Sequence, residues 1–152
     1  MLALYRFLSG WPLPVLHGLG ALLGWLTWLA SPTYRRRFDV NAALAGYRFA
    51  QVRPAIAHAG RMAMETPRLW FGRPAPLQWE QHRALLDRSF AQGRGIVFMT
   101  PHMGCFEITA QLVAEHYAPQ HGPITVLYRR ARQASLARVI ERARQRSGLQ
   151  TA

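Results

Sequence analysis

Two side chains able to do acid–base chemistry, His102 and Glu107, lie five positions apart in the sequence. In one continuous helix they would point about 140° apart and could not touch. They meet only if His102 lies in a turn and the helix begins after it, an arrangement that Pro101 and Gly104 favour. Glu107 then falls in the first helical turn, where the helix dipole stabilises a carboxylate. The carboxylate would hold one imidazole nitrogen while the other nitrogen removes a proton from a hydroxyl.

The spacing of this pair leaves two alternatives open. A histidine near a glutamate often arises by chance, and neither residue then has a catalytic role. A metal site is the second alternative, because Cys105 and His116 lie near the pair in the sequence. Cys105 and Glu107 would face different ways on a helix, however, and no two of these residues have metalloprotease spacing. We therefore expect no metal, and no cofactor is expected either.

A β-α-β-α order of predicted elements surrounds the pair. The apolar run 96–99 follows glycines and is typical of a buried parallel strand, and 124–128 is a second such run. Helical spacing of apolar residues covers 105–117 and 133–147, the latter closed by Gly148. Strands joined by a helix normally lie parallel. The sequence therefore predicts an α/β fold with an open, mostly parallel sheet flanked by helices.

The ends of the two predicted strands carry the candidate site residues. Ligands of such sheets bind beyond the carboxyl ends of the strands. His102 follows the first predicted strand and Arg129 follows the second, so we expect both at the same edge of the sheet. The region before the sheet is predicted to be helical over 33–48, 52–71 and 78–91, with an interruption at Pro67.

The first thirty residues are predicted to anchor the chain in a membrane. Residues 13–30 are uncharged and long enough for a short membrane helix. Three arginines follow at 35–37, and the positive-inside rule then places everything after residue 31 in the cytoplasm. We therefore expect an anchor over 1–31 and a second domain over 32–152. A cleaved signal peptide, a helix lying in the membrane interface and a soluble core helix remain alternatives, the first disfavoured by the bulk of Trp28.

The charge of the chain indicates anionic partners. The formal net charge is +12, and every basic residue is Arg. Genomic base composition explains this exclusive use of Arg as well as function does. Without Lys the chain has neither a Schiff-base lysine nor a Walker-type phosphate loop. No recognised nucleic-acid motif accompanies the charge, so we expect no nucleic acid partner, and a basic nucleic-acid-binding module remains an alternative. A solvated helix face or a surface for anionic headgroups or a carrier protein explains the C-terminal series Arg129, Arg130, Arg132, Arg138, Arg142, Arg144 and Arg146.

The stretch 93–107, GRGIVFMTPHMGCFE, resembles the central motif of the lipid A biosynthesis lauroyl/myristoyl acyltransferase family. This family belongs to the broader group of glycerolipid (lysophospholipid acyltransferase-like) acyltransferases. Arg36, Arg37 and Asn41 fit the upstream Arg-rich helix of the family, and 124–148 is similar to its second strand, Tyr-Arg step and basic helix. The resemblance follows the chain in order, and family members are longer. It therefore implies the N-terminal half of the family pattern, a truncated glycerolipid acyltransferase-like domain.

The resemblance implies transfer of a fatty acyl chain from acyl carrier protein to a hydroxyl of a lipid A precursor. The reaction would take place at the inner membrane, among its lipids, with the catalytic part facing the cytoplasm. His102 would be the general base and Glu107 its partner. Arg129 would contact the phosphorylated substrate, and Arg130 and Arg132 are assigned to substrate binding with it.

The sequence departs from the family pattern at three positions. Cys105 and Phe106 replace the usual Asn and Trp, and Arg130 stands where the family often has Pro. Phe106 keeps an aromatic ring, whereas Cys105 loses an amide that orients its neighbours. These changes affect fine specificity more than the class of reaction. The alternative function is that of a truncated, non-catalytic protein that binds the membrane and anionic lipid.

Overall fold

The computed structural model describes residues 1–72, 79–101, 103–128, 131–144 and 148–152. The chain divides into two compact units, Leu2–Gly72 and Arg73–Ala152. Within the described residues it forms mostly helices, together with one small parallel sheet. The sequence predicts a different division, based on membrane attachment, into an anchor over 1–31 and a second domain over 32–152. That division stays a prediction.

The first unit is entirely helical in secondary structure. Its second helix has the predicted bounds, because Pro12 precedes the apolar run and Ser31 ends it. Ser31 Oγ also accepts a hydrogen bond from the Tyr34 amide at 3.3 Å and caps the next helix. The five helices of this unit are α1 Leu2–Ser9, α2 Leu13–Ala30, α3 Pro32–Leu44, α4 Phe49–Val52 and α5 Pro54–Phe71.

The interruption predicted at Pro67 is wrong, because α5 continues through it to Phe71. A proline inside a helix removes one backbone hydrogen bond and crowds the preceding turn. Pro67 and Trp70 are both buried, and Trp70 stacks on Tyr5 with 5.7 Å between ring centroids. The packing of this helical face offsets the lost hydrogen bond.

Helices α2 and α5 form an antiparallel pair in which the two backbones meet. Gly20 and Gly24 are buried in α2 and lie one helical turn apart. A Cβ added at Gly20 would lie 2.6 Å from the carbonyl oxygen of Gly60 in α5. Small residues at such spacing let helices approach closely, a pattern common in membrane helix pairs. The glycines are therefore requirements of this contact.

Polar contacts join the same two helices at one end of the pair. His17 Nε2 lies 3.0 Å from Glu65 Oε2. Arg68 Nη1 donates to the Trp11 carbonyl oxygen, just before α2, at 2.9 Å. At the other end of α2, the Trp28 ring lies 5.4 Å from the Phe49 ring.

The second unit contains the parallel sheet. Strands β1 and β2 pair in parallel, with Ile124 opposite Leu149 and Val126 opposite Thr151. Helix α8 connects them, so a helical crossover joins parallel strands here, whereas the sequence predicts one between 96–99 and 124–128. The elements of the unit are α6 Glu80–Ala91, α7 Glu107–His121, β1 Ile124–Val126, α8 Ala134–Arg144 and β2 Leu149–Thr151.

The strand predicted over 96–99 is wrong, because these residues form neither helix nor strand. Val97 is 89% exposed and Met99 is 93% exposed, whereas a buried strand would hide both. An apolar run becomes a strand only if a neighbouring strand pairs with its backbone. In this structure β1 pairs with β2, which was not predicted. Among the described residues, the predicted open, mostly parallel sheet is therefore a single parallel pair of strands in a mainly helical unit.

The core of the second unit forms around α7 and α8. Tyr117 is buried in α7, stacks on Phe90 at 4.3 Å between ring centroids, and donates to Asp87 Oδ1 at 2.6 Å. Burial, followed by this hydrogen bond, raises the pKa of Tyr117 from 10.0 to about 12. The ring of Trp79 meets that of His116 edge to face at 4.4 Å. The buried residues of α8 are Ala137, Val139 and Ala143.

Candidate active site

The turn before α7 places Glu107 at the start of that helix. Glu107 is the first residue of α7, two positions later than the predicted start at 105. Gly104 has a φ of +55°, a left-handed conformation that glycine adopts without strain. The helix therefore begins after a turn, as the sequence predicts. His102 lies outside the described residues, so its contact with Glu107 stays a prediction.

Glu107 forms an ion pair with Arg144, the last residue of α8. Arg144 Nη2 donates to Glu107 Oε1 at 2.7 Å, and each side chain is 17% exposed. Charge-assisted hydrogen bonds of this length are stronger than neutral ones, and limited contact with water reduces their screening. Arg144 thus fixes one oxygen of the carboxylate. A carboxylate has acceptor sites on both oxygens, so this contact is compatible with a second hydrogen bond.

The guanidinium of Arg144 is also held by an aromatic ring. Its central carbon lies 4.7 Å from the ring centroid of Tyr128, which follows β1. Arginine stacks well on aromatic rings because its charged group is planar and weakly hydrated. Arg144 Nη1 is buried and has no hydrogen-bond partner among the described residues. The ring and the carboxylate together fix where this guanidinium lies.

Arg144 was not singled out as a site residue from the sequence. In the sequence it belongs to the C-terminal series of arginines, for which a solvated helix face is one explanation. A signal was present, because Arg144 lies four residues after Ile140 and so continues the apolar stripe of α8. By contrast Arg142, on the same helix, is exposed. An arginine on an apolar stripe needs a partner, and Glu107 is that partner here.

Of the three predicted substrate-binding arginines, Arg132 is described. Arg129 and Arg130 lie outside the described residues. Arg132 is exposed just before α8 and, with Arg138, lines an open depression of about 390 Å³. Guanidinium groups bind phosphate through two parallel hydrogen bonds. This depression is therefore chemically suited to an anion, although the role of these arginines stays a prediction.

Two further predictions concern metal and membrane. Among the described residues, no group of three or more His, Cys, Asp or Glu side chains lies together in a way that suits a metal ion. Helix α2 is the one described helix that is long and apolar enough to cross a membrane. Few of its residues are buried, unlike those of a core helix in a soluble protein.

The comparisons with known proteins identify a family. The family model of the bacterial lipid A biosynthesis acyltransferases matches residues 2–151, a range that includes both compact units. Neither the curated proteins nor the solved structures that were compared with the chain gave a match. A family match of this extent is far more specific than the spacing of His102 and Glu107. The chain belongs to the bacterial lipid A biosynthesis acyltransferase family.

Proposed function

We propose that the protein transfers a fatty acyl chain from acyl carrier protein to a hydroxyl of a lipid A precursor. Membership of the family supports acyl transfer in lipid A synthesis. The strongly positive net charge of +12 suits a donor and an acceptor that are both anionic. The choice of acyl carrier protein as donor and of a lipid A precursor hydroxyl as acceptor is inferred from the resemblance of 93–107 to the central motif of the family.

In the proposed mechanism His102 acts as the general base. The imidazole takes the proton from the acceptor hydroxyl as its oxygen attacks the thioester carbonyl carbon. The carbon–sulfur bond then breaks, the acyl group stays on the acceptor oxygen, and the carrier thiolate leaves. The imidazolium returns its proton to that thiolate, so the enzyme ends in its starting protonation state.

Glu107 is proposed to orient His102 and stabilise the imidazolium that forms. A carboxylate on the far side of an imidazole fixes its orientation and favours its charged form. The observation that carries this role is the position of Glu107 at the first residue of α7, with one oxygen fixed by Arg144. A carboxylate whose position is fixed loses less entropy when it engages the histidine.

The arginines at 129, 130 and 132 are proposed to hold phosphate groups of the acceptor. Support comes from Arg132, which is exposed and lines the depression with Arg138. We further propose that α2 attaches the protein to the inner membrane, with the catalytic part on the cytoplasmic side. The uncharged run over 13–30 supports the attachment, and the arginines that follow it suit the anionic lipid of the cytoplasmic leaflet.

An acyl-transfer assay with matched histidine variants tests the mechanism. Labelled acyl carrier protein and a lipid A precursor are incubated with membranes that contain the wild-type protein, His102→Ala, Glu107→Gln or His82→Ala. His82 is exposed on α6 and serves as the control. We expect His102→Ala to lose about 10²–10⁴-fold in rate, Glu107→Gln to lose less, and His82→Ala to match the wild type. Near-normal turnover by His102→Ala, with normal circular dichroism, would overturn the mechanism.

A non-catalytic lipid-binding protein is the second candidate function. The exposed leucines of α2 and the exposed Arg132 and Arg138 favour it, because both features suit an anionic membrane. The same assay separates the two candidates when the wild-type chain is mixed with vesicles of anionic lipid. Binding without any acyl transfer would favour the second candidate, whereas product formation would exclude it.

A further inference from the structure

The apolar surface of α2 is almost continuous around the helix. Its buried seam is narrow, and consists of Leu16, Gly20 and Gly24, which face α5. Outside the seam the helix exposes a row of leucines to its surroundings. A helix that is apolar all round and exposed needs an apolar medium. The exposed leucines are Leu19, Leu22, Leu23, Leu26 and Leu29.

Helix α5, which packs against α2, carries charged residues beside the middle and the beginning of α2. Gly60 of α5 meets Gly20, which lies near the middle of α2, and Arg61 is the next residue of α5. Glu65 follows one turn later and contacts His17 at 3.0 Å. Because the two helices are packed side by side, α5 reaches whatever depth in a membrane α2 reaches.

A membrane-spanning α2 would therefore carry charge into the hydrocarbon. Arg61 would lie near the bilayer centre, where a guanidinium is most unfavourable. The length of α2 leaves little margin for a spanning helix, since 18 residues rise by about 27 Å and the hydrocarbon core is about 30 Å thick. A helix pair in the plane of the membrane meets neither problem, because α5 can keep its charged side in water.

We propose that α2 and α5 lie together in one leaflet of an anionic bilayer and do not cross it. The leucines of α2 enter the acyl chains, and the side of α5 that carries Arg61 and Glu65 faces the headgroups. Arg36 and Arg37 are exposed in the first turns of α3 and supply charge that attracts anionic lipid. This mode of attachment depends on the packing of the first unit and not on the proposed catalysis. Evidence against one of the two proposals is therefore not evidence against the other.

Labelling of cysteines at the two ends of α2 tests this topology. Cys105 is the only cysteine and is replaced by Ser. Gly10→Cys and Thr33→Cys, both at exposed positions, are then introduced one at a time. Inverted inner-membrane vesicles from bacteria that express each full-length variant are treated with a membrane-impermeant maleimide. Labelling is expressed relative to that of vesicles permeabilised with detergent.

The two topologies give opposite results in this experiment. A helix pair in one leaflet places both cysteines on the same side, so both reach the same relative labelling before permeabilisation. A spanning helix places them on opposite sides, so one variant labels fully while the other labels only after permeabilisation. The latter result would overturn the proposal.

A flotation assay tests whether the leucines of α2 contact lipid. The full chain is mixed with vesicles of phosphatidylglycerol and phosphatidylethanolamine, and the floating fraction is measured for Leu22→Asp and Leu85→Asp. Leu85 is an equally exposed leucine on α6 and is the matched control. We expect at least about tenfold weaker binding for Leu22→Asp and no change for Leu85→Asp. Unchanged flotation of Leu22→Asp would contradict lipid contact by α2.

Discussion

Arg144 and Glu107 are separated by 37 residues in the chain, yet Arg144 Nη2 lies 2.7 Å from Glu107 Oε1. The contact joins the end of α8 to the start of α7. It brings a cation, a carboxylate and the ring of Tyr128 to one place. The carboxylate proposed to orient His102 is thus itself positioned by a residue from the far end of the crossover.

Replacement of Arg144 by Gln is expected to lower both stability and acyl-transfer rate. The change removes a charge-assisted hydrogen bond between two mostly buried side chains, which costs about 1–3 kcal/mol in the free energy of unfolding. The proposed transfer slows because Glu107 is less well positioned, with kcat affected more than KM. Arg144→Lys keeps the charge and should recover part of the rate. Chemical denaturation and steady-state kinetics measure these effects.

The control for this prediction is Arg142→Gln. Arg142 is exposed on the same helix, so its loss changes the net charge by the same amount without touching Glu107. We expect wild-type stability and rate for this variant. Equal effects of the two substitutions would show that total charge, and not the contact with Glu107, is what matters.

Leucine at position 20 is expected to disrupt the first unit, whereas leucine at position 18 is not. A side chain at Gly20 collides with the backbone of α5, and overpacking of this kind costs about 1–3 kcal/mol. A Cβ added at Gly18 meets nothing within 4 Å. Thermal unfolding of both variants in detergent, followed by circular dichroism, measures the difference. Identical midpoints would mean that the α2–α5 contact does not depend on these glycines.

Stability of the second unit is expected to fall as the pH rises from 10 to 12. The pKa of Tyr117 is raised from 10.0 to about 12, so the folded state holds this proton where the unfolded state has lost it. The contribution is fully present below pH 10 and is lost as the pH rises through about 12. Asp87 and Glu80 favour the neutral phenol, and Arg83 opposes them.

Urea denaturation at several alkaline pH values measures this dependence. Tyr117→Phe should be less stable at neutral pH and should lose less stability between pH 10 and 12. Tyr47→Phe, at an exposed tyrosine, should retain the wild-type profile. The chain has no Lys, so no lysine titrates in this range. A steep alkaline loss that persists in Tyr117→Phe would assign it to another group.

Serine substitutions at Val97 and Met99 are expected to leave stability nearly unchanged. Both side chains are exposed, and surface substitutions usually change the free energy of unfolding by no more than about 0.5 kcal/mol. Val139→Ser, at a buried position of α8, provides the contrast and should cost about 2 kcal/mol or more. Urea midpoints of the three variants measure this. Large losses at positions 97 and 99 would indicate that these residues are buried, as in the predicted strand.

Elements bounded by strong local features were predicted well. Helix α2 has the predicted bounds because an apolar run lies between Pro12 and the Ser31-Pro32 step. The beginning of α7 was predicted within two residues because Gly104 favours a turn before it. In each case neighbouring residues decide the conformation.

Elements that depend on distant partners were missed. β2 has three residues, two of them polar, and only its pairing with β1 makes it a strand. The run 96–99 shows the reverse, since its composition suits a strand but no described strand pairs with it. The role of Arg144 depends on which side chain lies opposite the end of α8. The periodicity of the sequence does not show that Glu107 is this side chain.

The distribution of tryptophans gives the two units different optical signatures. Trp11, Trp25, Trp28 and Trp70 lie in Leu2–Gly72, and Trp79 lies in Arg73–Ala152. Indole fluorescence therefore reports mainly on the first unit, whereas far-ultraviolet dichroism reports on the helices of both. The rings of Trp25 and Trp28 are 5.8 Å apart between centroids, close enough for coupled electronic transitions. Detergent or lipid that loosens this ring pair will change the near-ultraviolet spectrum before the backbone signal responds.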